Sequence, residues 1–297
     1  MSVKSWISAF RLRTLPLALA SIGMGSFLAA SRQQFRLDVL LWASLTTIFL
    51  QVLSNLANDY GDTVHGADSE SRQGPVRAVQ SGAISINQIK IAIGVSGALS
   101  LLSGLLLLHI SVGLGSTVFY VFLAFGLVSI AAAYFYTAGK NPYGYAGLGD
   151  ISVLLFFGFL GVLGTYFLHT GYFEWLNMLP ALSMGLFATA VLNVNNIRDI
   201  ESDKEAGKKS IPVRIGRKKA VVYHILLLSI GFSAAIGYML LLPFEYSRLV
   251  ILPAIIPLII NAKAVIQKTN SKALDPYLKQ MALTSLVFML LFGISIL

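Results

Sequence analysis

Nine stretches of about 20 apolar residues constrain this chain more than any other feature, because that is the length at which an α-helix crosses a bilayer. They fall near residues 15–31, 38–57, 89–109, 115–136, 149–169, 177–196, 219–242, 246–266 and 278–297. Within hydrocarbon every backbone N–H and C=O needs a protein partner, so such runs cross as helices. With 56% hydrophobic and 12% charged residues among 297, the chain holds more apolar material than a water-soluble core of that size uses. The expected fold class is therefore all-α: a polytopic membrane bundle of nine transmembrane helices. One domain over 1–297 is expected, since no linker or low-complexity tract divides the sequence. Lys4, Arg11 and Arg13 precede the first run as in a signal peptide, but eight further runs make it a retained helix.

The basic residues orient the bundle. A net charge of +9 suggests nucleic acid in a soluble protein, yet here the positive residues flank membrane runs, and topology accounts for them. If the N-terminus is cytoplasmic, only Arg32, Arg36 and Arg248 of the 22 lysines and arginines fall on the outer side. That asymmetry predicts an inner-membrane protein with its N-terminus inside. There are no cysteines, which excludes disulfides, thiolate metal sites and cysteine nucleophiles.

The acids cluster on the same inner face. Asp59, Asp62, Asp68 and Glu70 follow the second run; Asp199, Glu201, Asp203 and Glu205 follow the sixth. A shift of 137 positions lays Asn58 on Asn195, Asp62 on Asp199, and Pro75-Val76-Arg77 on Pro212-Val213-Arg214, which reads as an internal duplication. Asn195, Asp199 and Asp203 are spaced i, i+4, i+8, and Asp59 and Asp62 i, i+3, so each set stacks on one helical face if its helix continues past the membrane surface. Acids at a helix C-terminus are unfavourable unless cations compensate them. Mg²⁺ typically takes one or two carboxylates together with phosphate oxygens, so two facing sets suit Mg²⁺ ions with a diphosphate between them. A diphosphate held in this way becomes a leaving group.

Basic candidates for the diphosphate are Arg72, Arg77, Lys140, Lys204, Lys208 and Lys209, with Arg198 beside the second cluster; for the last three lysines, orientation in the membrane is the competing reading. The connection after the fourth run carries Tyr134 and Tyr136, whose ring faces suit an allylic cation, although an interfacial aromatic belt places tyrosines there too. Asp150 is either a further polar group of the site or a cap on the fifth helix. His65 adjoins the first cluster, while His109, His169 and His224 have no metal-ligand spacing.

Asn58-Asp59-x-x-Asp62 with Asp199-x-x-x-Asp203 on nine helices resembles the UbiA-type intramembrane prenyltransferases. More narrowly, Ser54-Asn55-Leu56-Ala57-Asn58-Asp59-Tyr60-Gly61-Asp62, Gly147-Leu148-Gly149-Asp150 and Asn195-Asn196-Ile197-Arg198-Asp199 look like the branch that prenylates 1,4-dihydroxy-2-naphthoate in menaquinone synthesis. The resemblance implies that Asp59, Asp62, Asp199 and Asp203 bind Mg²⁺ and the polyprenyl diphosphate, with Asn55, Asn58 and Asn195 as polar members of the walls. It also implies transfer to the naphthoate with decarboxylation, in contact with membrane lipid. Gly66 stands where many relatives carry a third aspartate, leaving Asp68, two positions on, as a displaced candidate ligand. For the acceptor's carboxylate, Arg13, Lys140 and Arg77 are the candidates. Prenyl transfer to another acceptor and an ion-coupled transporter are the competing functions; a transporter's acids are expected nearer the bilayer midplane.

Overall fold

A computed structural model of the protein describes residues 3–66 and 77–297; Asp68, Glu70 and Arg72 lie outside the described residues. Among the described residues nine helices are long and apolar enough to cross a membrane: α1 Val3–Ser31, α2 Leu37–Val64, α3 Ile86–Val112, α4 Thr117–Phe135, α5 Gly149–Thr170, α6 Trp175–Arg198, α7 Ile211–Leu240, α8 Tyr246–Gln267 and α9 Ser271–Ile296. This is a multi-pass all-α bundle, as the apolar runs predict. Large apolar side chains such as Leu102, Leu127 and Ile256 face outward along the spans, as lipid-facing surfaces require.

Several helices exceed their apolar runs because local signals carry them on. Helix α3 begins at Ile86, where Ser85 and Gln88 form a reciprocal capping box. Helix α2 runs on to Val64, so the whole Asn58–Asp62 motif is helical, and ends where Gly66 takes a left-handed φ of 72°. Helix α7 starts at Ile211 and kinks at Gly216, whose φ of 77° and ψ of 158° are non-helical.

The expectation of one continuous face over Asn195–Asp203 needs correction. Helix α6 stops at Arg198, Asp199 takes φ −102° and ψ 16°, and a short helix Ile200–Glu205 follows. Backbone bonds from Asp199 N to Asn195 O (3.0 Å) and from Asp203 N to Asp199 O (2.8 Å) survive the break, so the two aspartates remain one turn apart.

Close packing at small residues holds the helices, as it must where lipid supplies no hydrophobic drive for association. Helix α5 is clamped between α1 and α6: a Cβ on Gly158 would come within 2.7 Å of the Ala181 carbonyl oxygen, and one on Gly25 would overlap the Val162 carbonyl. Over Leu154–Gly164 the clamped α5 adopts π-helical bonding. Polar links add to this packing, with Ser183 Oγ donating to Gly231 O of α7 at 2.7 Å and Thr46 Oγ1 on α2 donating to Ser103 Oγ on α3 at 3.0 Å. Gly158→Leu should therefore destabilise the detergent-solubilised protein by about 1–3 kcal/mol. Gly94→Leu, which meets nothing within 4 Å, should leave the thermal unfolding midpoint unchanged.

Candidate active site

A cavity of about 480 Å³ lies among the helices and reaches the face where α2 and α6 end and α5 and α9 begin. Along α2 it is lined by Ala43, Thr47, Leu50, Ser54, Asn58 and Asp62, one helical face. From Ala43 to Asp62 that face rises about 28 Å, most of a bilayer core. The deep end is apolar, with Leu105, Leu108, Phe122 and Leu168. Charge gathers at the mouth, where Arg11, Arg13, Arg77, Asp62, Asp203 and Lys208 line the wall.

The four candidate aspartates are all buried, and each has a cation. Asp59 pairs with Arg11 and, at 3.7 Å, with Arg77 Nε. Asp62 meets Arg77 Nη2 at 2.5 Å and Lys208 Nζ at 2.9 Å, and accepts the Tyr145 hydroxyl at 2.8 Å. Lys208 also reaches Asp203 at 3.5 Å, so one ammonium group bridges the first acidic cluster to the second. Asp199 is gripped in bidentate fashion by its neighbour Arg198, at 2.8 Å and 2.6 Å. Arg198 in turn holds Asp275 of α9 at 2.6 Å and donates to Asn195 Oδ1 at 2.9 Å.

Burial pushes the Asp203 carboxyl up to about 6; Lys208 opposes the rise, while Asp199 and Asp62 add to it. Burial and the adjacent Asp62 also raise the Tyr145 phenol, which therefore stays protonated and donates. Its ring lies beneath Lys208 Nζ, 4.8 Å from the ring centre.

Among the described residues no three carboxylate or imidazole groups converge into a preformed metal cage. The donors are instead single carboxylates on facing helix ends with cations between them. That set suits Mg²⁺, which completes its octahedron with water and phosphate oxygens and needs few protein ligands.

The structure sorts the remaining candidates. Asn55, Asn58, Asn195, Tyr136, Arg77, Lys208 and Arg13 line the cavity beside the acids. Asn55 Nδ2 donates to Phe10 O at 2.9 Å, and Asn58 Oδ1 accepts from Thr137 Oγ1 at 2.9 Å, fixing both to neighbouring segments. Lys140, Lys204, Tyr134, Arg198 and Asp59 are not among the lining residues. Lys140 and Lys204 are exposed, Tyr134 packs into the cluster around Leu56 and Ile89, and Arg198 and Asp59 stand behind the wall. His224 is buried against Asn261 at 2.9 Å and His169 against Ser26 at 2.9 Å, both away from the acids.

Sequence reasoning passed over Arg11, Tyr145 and Asp275. Arg11 adopts a left-handed φ of 48° in the turn between two helical pieces of α1, a strained backbone held in place by its pairing with Asp59. The one available signal for Tyr145 is its position in the Gly-rich connection just ahead of Gly147-Leu148-Gly149-Asp150.

A family model described as the UbiA prenyltransferase family matches residues 18–286. A 1,4-dihydroxy-2-naphthoate octaprenyltransferase from Haemophilus influenzae is 44% identical to this chain, covering 99% of it and 96% of the relative. The protein of the same description from Escherichia coli is 42% identical, covering 99% and 95%. A solved structure of a UbiA homologue from Archaeoglobus fulgidus bound to DMAPP and Mg²⁺ has a TM-score of 0.68 at 17% identity, over 98% of each chain, and so shares the fold.

The Arg198 network carries its own expectation. Arg198→Ala strands the buried Asp199 and leaves Asp275, among the described residues, only its 3.4 Å pair with Arg13, and should cost about 3–5 kcal/mol of stability. Arg198→Lys should recover only part, because an ammonium does not reproduce the bidentate grip. An unchanged unfolding midpoint for Arg198→Ala would remove Arg198 from its structural role.

Proposed function

The chain belongs to the UbiA prenyltransferase family, and from that premise we propose that it moves a polyprenyl group from polyprenyl diphosphate onto 1,4-dihydroxy-2-naphthoate, releasing CO₂ and diphosphate and giving the reduced, dihydroxy (quinol) form of demethylmenaquinone. The observation that carries this reading is the meeting of two helix-end acids, Asp62 from α2 and Asp203 from beyond α6, across one Lys208 at the mouth of an apolar cavity. A diphosphate head fits the charged mouth and a hydrocarbon tail fits the depth. Relatives 44% and 42% identical carry the naphthoate octaprenyltransferase description over nearly their full length, which supports this acceptor over others.

Asp62, Asp199 and Asp203, which line the cavity, are the residues that would hold Mg²⁺, with Asp59 behind them as the remaining member of the acidic set; the Archaeoglobus homologue of the same fold, bound to DMAPP and Mg²⁺, supports a Mg²⁺ site here. When bound there, Mg²⁺ neutralises charge on the departing diphosphate. The chain's own contribution is positional. Arg77 and Lys208 place positive charge beside the leaving group, and Asn58 and Asn195 add neutral polar contacts. Tyr136 and Tyr143, edge to face at 5.4 Å, present aromatic surface where the allylic carbon becomes cationic. The apolar walls keep water from that carbon, so that the ring carbon captures it instead. The acceptor's carboxylate is assigned to Arg13, which lines the mouth and among the described residues is held only by a 3.4 Å pair with Asp275.

We assign the charged mouth to the cytoplasmic side of a bacterial inner membrane, on the distribution of Lys and Arg. The absence of cysteine makes this easy to test. Lys204→Cys should react with a membrane-impermeant maleimide in inside-out vesicles and Tyr246→Cys in right-side-out ones; the reverse pattern would invert the topology. The reaction itself is tested with purified protein, naphthoate and a polyprenyl diphosphate. Product should require Mg²⁺ and disappear with EDTA. Asp62→Asn and Asp203→Asn should each lower kcat about 10²–10³-fold; retention of full activity by either would remove that residue from the metal set.

A further inference from the structure

The carboxylates at the charged mouth are matched by arginine or lysine, but Asp150 is not. It is buried at the start of α5 and lines the same cavity, yet among the described residues no cation lies within ion-pair distance of it. Among the described residues its side chain accepts a hydrogen bond from the Tyr223 hydroxyl of α7 at 2.9 Å. It does not cap α5, whose N-cap is Leu148 with no side-chain bond. The partial positive charge of the α5 N-terminus lets a carboxylate stand in the first turn without a counter-ion. A buried carboxylate with spare lone pairs facing a ligand cavity has its remaining acceptor capacity available to a donor on the ligand.

The surroundings define that donor. Gly149 lets the Tyr136 hydroxyl come so near that a Cβ there would sit 2.6 Å from it, and Leu192 closes the other side. Tyr136, Tyr143, Val153 and Leu192 line the cavity together with Asp150, giving the wall on that side an aromatic and apolar character. A diphosphate is repelled by the Asp150 carboxylate, whereas a hydroxylated aromatic ring fits it.

Building on the proposed naphthoate transfer, we infer that Asp150 is the catalytic residue that receives the acceptor's hydroxyl, taking its proton as the ring attacks and returning it afterwards. The proton in question belongs to the hydroxyl beside the carboxyl-bearing ring carbon, since only that oxygen pushes electrons to the carbon that forms the new bond. As that C–C bond forms, the allylic C–O bond breaks with its electron pair leaving on diphosphate, and the O–H proton moves to Asp150, leaving a ring ketone. The bond to the carboxylate carbon then breaks, CO₂ departs, the pair returns to the ring, and Asp150 gives the proton back to the oxygen. Asp150 ends as it began, and no outside acid or base is consumed. Tyr223 is a positioning residue that aims the carboxylate.

The test uses the full chain in detergent with Mg²⁺, a polyprenyl diphosphate and 1,4-dihydroxy-2-naphthoate. Asp150→Asn should lower kcat about a hundredfold with the KM for polyprenyl diphosphate unchanged, and Asp150→Glu should recover part of the loss. A binding arm compares 1-hydroxy-2-naphthoate with 2-naphthoate. Wild type should favour the hydroxylated ligand about tenfold, and Asp150→Leu should favour neither. Wild-type kcat in Asp150→Asn, or an equal loss of affinity for both substrates, overturns the inference while leaving the naphthoate reaction standing. No product from wild type overturns both. If the Asp150 variants do not fold, Tyr223→Phe decides: kcat reduced severalfold at constant KM for the diphosphate supports the role, and unchanged kcat refutes it.

Discussion

The molecule is organised by the need to neutralise carboxylates that sit where hydrocarbon begins. An uncompensated charge there is expensive, and a carboxylate without a partner would shift the balance of the whole helix end. The answer is a chain of cations drawn from distant parts of the sequence: Arg11 from α1, Arg77 from the connection between α2 and α3, Lys208 from beyond α6, and Arg198 reaching to α9. These pairs fix where the helices end relative to one another. Because Lys208 spans Asp62 and Asp203, the two acidic segments are held at a separation set by one side chain.

Much of this architecture was legible in the residues. Run length alone gives the nine crossings, since a run of about 20 apolar residues crosses as a helix that satisfies its own backbone, and the acidic pairs at 58–62 and 195–203 mark the mouth. Other features depend on partners that sequence does not bring together. Arg11 reads as one more inner-face positive charge until the fold lays it on Asp59. Lys140, in the connection after α4, and Lys204, next to the buried Asp203 on the short helix Ile200–Glu205, lie near the motifs in sequence but are exposed, because adjacent residues point in different directions. The break at Asp199 left no signal either, since its helical spacing continues through it. A uniformly apolar run likewise carries no mark of π-helical bonding in α5, which is tied to glycine contacts with two other helices.

The cavity divides its labour by depth. Polar and charged atoms crowd the first turns of α5 and the last turns of α2, and beyond them the lining becomes aliphatic and aromatic. Binding of a charged head and solvation of a long tail are therefore handled by different residues on the same helix, α2 serving both through one face. The aspartates and arginines can hold their geometry whatever length of hydrocarbon lies below, because the ion pairs do not touch the deep wall.

The apolar depth of that cavity, set along helices embedded in lipid, also changes what concentration means for this protein. A substrate whose tail occupies the cavity is dissolved in the bilayer before it is bound, so the quantity that sets occupancy is its mole fraction among lipids, and the hydrophobic gain of leaving water has already been realised on entering the membrane. Saturation curves drawn against bulk molarity will shift whenever the amount of lipid or detergent changes. Curves drawn against surface composition will superpose.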